Sequence, residues 1–287
     1  MASRPAVSVV LPAFNEEESV ARVVTACRRA LAQARIPHEI IVVNDGSVDK
    51  TADRARKAGA RVVSHGLNIG YGASLKAGFR AARGQVLAML DADGTYPERE
   101  LVKLIRALEN CDMAVGARTL SGAAIPWERR PAKWLLTRWA EYLSERPIPD
   151  LNSGLRAFRR EPYERFQGLM PNRFSFTTTL TLALECHGYV VTYHPVEYLP
   201  RTGTSKIRPI TDTVNFFSLV LRTVMYFKPL KIFLPLSGMM ILSGTALGVL
   251  KLIQEHGISD ATTLLIVAGL QTAALGLMAD LVVKRHR

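Results

Sequence analysis

Two aspartates one residue apart, Asp91 and Asp93, follow directly on the apolar run Val86–Leu90. An apolar run this short, bounded by turn residues, reads as a buried strand of a parallel sheet. Its carboxyl end is where open α/β sheets bind ligands, so both carboxylates are expected at a ligand-facing edge. Paired oxygen ligands suit a hard divalent cation, Mg²⁺ or Mn²⁺, that keeps positions for substrate phosphates and water. Taken alone, the pair also fits a plainer role, with one aspartate capping the helix that starts near Pro97 and the other closing a turn. The neighbouring turns weigh against that plainer role.

Those turns belong to a regular series. Val7–Leu11, Ile40–Val43, Arg61–Ser64, Val86–Leu90 and Met113–Val115 are short and rich in apolar, β-branched residues, and Ser19–Gln33, Thr51–Ala58, Gly72–Ala82 and Pro97–Glu109 between them carry helical patterning. Such alternation predicts right-handed βαβ units and a mainly parallel sheet. The turn after each of the first four strands then falls on one sheet edge: Pro12–Glu17 (PAFNEE), Asn44–Thr51 (NDGSVDKT), Asn68–Gly72 (NIGYG) and the aspartate pair. Gly70-x-Gly72 has no glycine at the third position of a dinucleotide fingerprint and opens the third unit instead of the first, which argues against a Rossmann nucleotide site. No P-loop, GxSxG or HExxH string is present. Ser121–Pro131 reads as a loop.

Composition changes near Lys228. Ile232–Leu250 and Ala261–Ala279 are each 19 residues without a charge, about 28 Å of helix at 1.5 Å per residue, enough to cross a hydrocarbon core. Lys228 and Lys231 precede the pair, Lys284, Arg285 and Arg287 follow it, and the linker holds only Lys251. That asymmetry places both ends of the hairpin in the cytoplasm. No leader is expected, because Met1–Pro5 runs straight into a strand-like segment. The net charge of +12 calls for an anionic partner. No motif that reads DNA or RNA appears, so a lipid surface is favoured over nucleic acid. Ile207–Tyr226 has apolar residues at helical spacing and fits either an interfacial helix or one packed on the preceding domain. Cys27, Cys111 and Cys186 lack metal-ligand spacing and read as small core residues in a reducing compartment.

The strings PAFNE, VVNDGSVDKT, LNIGYGASLKAG, DADGTYP and VGAR, in that order, resemble the family 2 glycosyltransferases of the GT-A fold. Asp150–Phe158 (DLNSGLRAF) and Arg201–Lys206 (RTGTSK) are similar to acceptor-side motifs of the polyprenyl-phosphate glycosyltransferases, the group that contains dolichyl-phosphate mannose synthase. The resemblance covers roughly residues 6–210, and a two-helix membrane tail is frequent in bacterial members. Two departures matter. Gly94-Thr95 stands where the mannose synthases carry Leu-Gln, which favours a UDP-hexose over GDP-mannose. The nearest string to the QxxRW of processive synthases, Leu135–Trp139, lacks the glutamine, which favours a single transfer.

The resemblance implies that Pro12, Asn15, Glu16, Asp45 and Asp91 line the nucleotide pocket, where acidic side chains suit hydroxyl and N–H donors. It implies that Asp91 and Asp93 hold the metal against the diphosphate, and that Arg118 adds a cationic contact to the phosphates. On the acceptor side it implies Asp150, Ser153, Arg156, Arg201, Ser205 and Lys206, with Asp150 either orienting Arg156 or capping a turn. A polyprenyl monophosphate is mostly dianionic at neutral pH, since its second pKa is about 6. It is already a nucleophile, so the basic residues must hold two anions together and no general base is required. The expected catalytic set is therefore Asp91, Asp93, Arg118, Arg156, Arg201, Ser205 and Lys206.

The sequence thus predicts a GT-A α/β domain over residues 1–206, a juxtamembrane amphipathic helix over 207–228 and a two-helix transmembrane hairpin over 229–287. The expected activity is metal-dependent inverting transfer of one hexose from a nucleotide sugar, UDP-glucose foremost, to undecaprenyl or dolichyl phosphate. It would take place at the cytoplasmic face of the cell membrane. The alternatives are a GDP-mannose donor, another lipid or glycan acceptor, and a non-catalytic membrane-anchored binding protein. Homo-oligomerisation is left open.

Overall fold

The computed structural model describes residues 5–120, 137–142, 144–172, 175–199, 225–226, 228–255 and 259–285. The chain divides into two compact units, Met1–Phe216 and Phe217–Arg287.

In the first unit the apolar strands β1 (Val7–Ala13), β2 (His38–Asp45) and β4 (Val86–Met89) are buried along most of their length. Strands covered on both faces must sit inside a sheet. They pair in parallel, with β1 between β2 and β4, and β3 (Arg61–His65) forms the outer edge beside β2. The full order is β3-β2-β1-β4-β6-β5-β7, where β5 is Met113–Ala117, β6 is Arg156–Arg159 and β7 is Val191–Pro195.

The sheet is mixed, a GT-A-like arrangement. β6 runs antiparallel between β4 and β5, its Ala157 opposite Ala88 and Ala114. The sequence reading contained neither β6 nor β7. RAFR offers two arginines in four residues and VTYHP is polar at alternate positions, so neither has the apolar run that marked the other strands.

Successive residues of β1 face opposite sides of the sheet. Val7, Val9 and Leu11 share a core with Val20, Val23, Val24 and Cys27 of α1 (Val20–Gln33) and with Leu101 and Leu104 of α4 (Arg99–Ala107). α2 (Thr51–Lys57) adds Ala55 to the same core. On the other side, α3 (Tyr71–Ala81) brings Gly78 against Val10 and Val43. There Phe79 meets Phe158 of β6, Tyr163 of α5 (Arg160–Phe166) and Phe176 of α6 (Phe176–Cys186) at 5.0–6.1 Å between ring centroids. The Phe158 and Tyr163 contacts are edge-on, a favoured aromatic geometry.

The second unit holds α7 (Leu230–Glu255) and α8 (Asp260–Arg285), both long and apolar enough to cross a membrane. Only 11% of each candidate span is buried within the protein, so nearly all of that apolar surface needs another cover. The two helices touch closely, with the Ser237 hydroxyl donating to the Gly269 carbonyl at 2.8 Å. The loop expected over Ser121–Pro131, all but the last two residues of the Ile207–Tyr226 helix, and Arg201, Ser205 and Lys206 lie outside the described residues.

A Cβ at Gly78 would lie 2.3 Å from Val10 Cγ1. Gly78→Ala gains about 1 kcal/mol of helix propensity but forces α3 away from the sheet, at an overpacking cost of about 1–3 kcal/mol. The expected outcome of urea unfolding is a net loss of stability, against the gain that an alanine brings in an exposed helix.

Candidate active site

β4 ends at Met89, and the chain turns at the carboxyl edge of the sheet with Asp91 and Asp93. Asp93 is 8% exposed, and its Oδ1 accepts hydrogen bonds from the Thr95 N–H at 3.1 Å and the Thr95 hydroxyl at 2.7 Å. Asp91 is more open to solvent. Its Oδ1 accepts the hydroxyl of Tyr71, the first residue of α3, at 3.0 Å. Burial, and then the neighbouring Asp91 carboxylate, push the Tyr71 phenol well above its ordinary pKa, so the phenol keeps its proton and remains the donor.

On the other side of Asp91 lies Gly154, where a Cβ would meet Oδ2 at 2.3 Å. The Asp91 and Asp93 carboxylates are the oxygen ligands this turn offers a divalent cation. Among the described residues no three His, Cys, Asp or Glu side chains group as metal ligands. A donor set of two suits a cation that takes its remaining ligands from phosphate oxygens and water. Asp91 and Asp93 are the residues that would hold it, and when bound it would neutralise charge on a departing diphosphate.

The first two turns are laced together. The N–H groups of Asn15, Glu16 and Glu17 donate to Ser47 Oγ, Thr51 Oγ1 and Asp49 Oδ2 at 2.9–3.2 Å, and Asn15 Oδ1 accepts the Val48 N–H at 3.0 Å. Asn15 takes φ +54°, a left-handed conformation that asparagine tolerates. Asp45, expected against the nucleoside, is 4% exposed and engaged with the third turn. Its carboxylate accepts the N–H groups of Ile69 and Gly70 at 3.1 and 2.9 Å and contacts His65 Nδ1 at 2.8 Å. In this arrangement Asp45 fixes the loop that delivers Tyr71. Pro12, near the end of β1, and Asn15 and Glu16, in the turn after it, are partly exposed.

Two of the expected basic residues lie among the described residues. Arg118, at the end of β5, forms a bidentate pair with Asp150, with Nε to Oδ2 at 2.7 Å and Nη2 to Oδ1 at 2.8 Å. Its guanidinium also lies 5.3 Å from the centre of the Tyr198 ring. Burial opposes the Arg118 charge, but the Asp150 hydrogen bonds and carboxylate outweigh it and raise its pKa. Asp150 therefore orients Arg118, and its Oδ1 also accepts the Asn152 N–H at 3.2 Å, the turn cap that was one of its two expected roles.

Arg156 itself is fully buried. Its Nε donates to the Ser153 carbonyl at 2.8 Å, Nη2 to the Leu151 carbonyl at 2.8 Å and Nη1 to Thr181 Oγ1 at 2.6 Å. Burial lowers its pKa. A guanidinium wrapped this way presents nothing to an acceptor phosphate; it shapes residues 151–154. Ser153, also buried, donates to the Gly116 carbonyl at 2.5 Å.

The structure thus brings Asp91, Asp93, Arg118 and Asp150 to one edge, with Arg156 and Ser153 beneath it as supports. The segment that leads into the RTGTSK string reaches the same edge, where the Leu199 N–H donates to the Thr95 carbonyl at 2.8 Å. Sequence reasoning missed Tyr71, Tyr96 and Gly154. Each lies inside a matched motif, but a phenol or a glycine carries no spacing signal of its own.

This sheet order, with paired aspartates at its carboxyl edge, defines a GT-A-like transferase domain. Residues 8–166 match the model of glycosyl transferase family 2, and residues 228–284 match that of the GtrB C-terminal hairpin. The chain belongs to glycosyl transferase family 2.

It is 30% identical to a dolichyl-phosphate hexose transferase of Haloferax volcanii, over 70% of this chain and 86% of the relative. It is 31% identical to a polyprenol monophosphomannose synthase of Mycolicibacterium smegmatis, over 69% and 80%. A low-salt glycan biosynthesis hexosyltransferase of Haloferax volcanii is 30% identical over 72% of this chain, which spans about half (51%) of that relative's length. Among solved structures, glucosyl-3-phosphoglycerate synthase of Mycobacterium tuberculosis with Mn²⁺, UDP-glucose and phosphoglyceric acid shares the fold. The match has TM-score 0.57 and 24% identity, and covers 77% of this chain and 79% of the other.

Arg156→Lys keeps the charge but cannot reach three acceptors, so carbonyls of the 151–154 loop lose partners. Chemical denaturation is expected to show a loss of about 2–4 kcal/mol. A phosphate contact at the surface would instead leave stability intact and raise the KM for the acceptor.

Proposed function

We propose that this glycosyltransferase moves a single hexose, with inversion, from a nucleotide sugar to a polyprenyl phosphate such as undecaprenyl or dolichyl phosphate, at the cytoplasmic face of a membrane. The observation that carries this reading is one chain with two properties. It holds the Asp91–Asp93 pair beside an Arg118 cation on one sheet edge, and it continues into two apolar helices that need a lipid cover. The relatives named for dolichyl-phosphate and polyprenol-linked products support the same acceptor class.

The acceptor phosphate oxygen attacks the anomeric carbon. The bond from that carbon to the donor diphosphate breaks, and the diphosphate leaves with the electron pair. No proton changes hands, so the protein's task is to hold two anions together. Arg118, Arg201, Ser205 and Lys206 are the proposed phosphate contacts, and Asp150 presents Arg118 in a fixed orientation. Pro12, Asn15 and Glu16 are the proposed walls of the nucleoside pocket. Mg²⁺ or Mn²⁺ at Asp91 and Asp93 is the proposed cofactor, in keeping with the Mn²⁺ and UDP-glucose held by the synthase that shares the fold.

UDP-glucose is the favoured donor, because Gly94-Thr95 replaces the Leu-Gln of mannose synthases. Purified protein offered a panel of nucleotide sugars, undecaprenyl phosphate and Mn²⁺ should yield a lipid-linked hexose from a UDP-sugar, with free UDP competing better than GDP. Stronger competition by GDP would reverse the donor assignment, and no product from any donor would remove the acceptor reading.

In the same assay Asp93→Ala or EDTA should abolish transfer, since several kcal/mol of charge stabilisation goes with the metal. Turnover near the wild-type level after either change would exclude the metal. The five basic residues outside the hairpin against one in its linker support a cytoplasmic catalytic domain. A cysteine placed at residue 255 should accordingly react with an impermeant thiol reagent on intact cells, and labelling only after lysis would invert the topology.

A further inference from the structure

We propose that Tyr71 and Gly154 are positioning residues that hold the Asp91 carboxylate in a single orientation for the cation. This inference rests on the metal reading given above and assigns a role to two residues outside the aspartate pair.

Asp91 is gripped by groups from two other elements. From α3, the Tyr71 hydroxyl donates to Oδ1 at 3.0 Å. From the 151–155 loop, the bare Cα of Gly154 lies against the carboxylate, so that a Cβ there would stand 2.3 Å from Oδ2, 2.6 Å from Cγ and 2.7 Å from Oδ1. Contacts this short around all three carboxylate atoms leave no room for a methyl group, and Asp91 would have to rotate away.

Both grips are themselves held. Tyr71 opens α3, whose start is fixed by the Gly70 N–H to Asp45 Oδ2 at 2.9 Å and by the Ala73 N–H to the Asn172 carbonyl at 2.8 Å. Gly154 donates its N–H to the Tyr96 hydroxyl at 2.9 Å, and the Ser153 carbonyl before it accepts Arg156 Nε at 2.8 Å. Tyr96 comes from the same turn as the aspartates and is 1% exposed. The aspartate turn and the glycine loop are therefore locked to each other by Tyr96, and α3 closes the third side.

A free carboxylate samples two torsions and presents its lone pairs in many directions. One that is hydrogen-bonded and sterically walled presents them in one. Groups that orient a metal ligand in this way commonly change metal affinity 10–100-fold when removed. Where two carboxylates supply the protein's ligands among the described residues, loss of order at one of them weighs heavily.

The test measures cation binding directly, on the full-length protein in detergent, by titrating Mn²⁺ and reading free Mn²⁺ by electron paramagnetic resonance with UDP or GDP present. Tyr71→Phe, which removes one oxygen, should weaken Mn²⁺ binding about 10-fold while the melting temperature stays within a degree or so of wild type. Gly154→Ala should weaken it at least as much. Tyr96→Phe, which releases Gly154 without touching Asp91, should have a smaller effect in the same direction. In transfer assays, Tyr71→Phe should raise the Mn²⁺ concentration needed for half-maximal rate, with much of kcat recovered at saturating Mn²⁺; a merely structural role for the tyrosine would not produce that split.

Asp91→Asn separates this proposal from the reading beneath it. If Asp91→Asn removes Mn²⁺ binding and Tyr71→Phe leaves it at the wild-type level, the positioning role is wrong and the metal reading stands. If Asp91→Asn also binds Mn²⁺ normally, the metal reading fails and takes this proposal with it.

Discussion

A guanidinium with no exposure to water must find acceptors inside the protein, and the site is organised around that requirement at Arg156. Its three nitrogens reach two backbone carbonyls of the 151–153 turn and the hydroxyl of Thr181. The turn so held carries Asp150 to Arg118 on one side and Gly154 to Asp91 on the other. Burying an ion costs several kcal/mol unless its hydrogen-bonding capacity is met. The loop conformation that satisfies Arg156 is therefore the low-energy one, and the ligand-facing residues inherit their positions from it. β6, which begins at Arg156, runs antiparallel between two strands of the otherwise parallel sheet, and that placement buries the guanidinium within the first unit.

Charge at the ligand edge follows a simple division. The aspartates at the end of β4 provide negative charge that would hold a cation and let it offset a diphosphate's charge, and Arg118 just past β5 provides a guanidinium on the same edge. Asp150 offsets the charge of Arg118 and in exchange orients it, since a bidentate pair holds the guanidinium plane. Stacking on Tyr198 restricts it further. The transfer proposed above, between two phosphate-bearing partners, would need this more than a proton acceptor, because its nucleophile would already be ionised. The lacing of the first two turns through Ser47, Asp49 and Thr51 has a similar logic. Backbone N–H groups left at the end of a buried strand need acceptors, and hydroxyl and carboxylate side chains of the next turn provide them.

The second unit presents a different surface. α7 and α8 have apolar residues on every side, and leucines such as Leu242, Leu264 and Leu281 are 67–72% exposed within the protein. In water that surface would be a strong liability; against hydrocarbon it is the stabilising term. Ser237 bonding to the Gly269 carbonyl is the kind of polar contact that joins helices when the hydrophobic effect cannot distinguish helix from lipid.

The sequence by itself determined the alternation of short apolar runs and helical stretches, the ordered turns on one edge, and the uncharged hairpin. These are local properties: a run of β-branched residues, a DxD after it, or 19 residues without a charge each state their meaning within a few positions. All five strands read from the chain are present, with ends displaced by a residue or two. What only the tertiary structure decided depends on contacts between distant segments. β6 was hidden because its arginines look like surface residues until a threonine from α6, twenty-five positions on, meets one of them. Asp150 was expected either to orient Arg156 or to cap a turn; it caps its own turn at the Asn152 N–H and also pairs with Arg118, a partner set by which strand end lies opposite the loop. Tyr71 and Gly154 had no chemical signature in the chain, since a phenol hydroxyl and a missing side chain acquire their roles only when Asp91 is placed between them. Short-range pattern thus carries the scaffold, while the orientation of each charged group is a long-range outcome of packing and of the need to satisfy every buried polar atom.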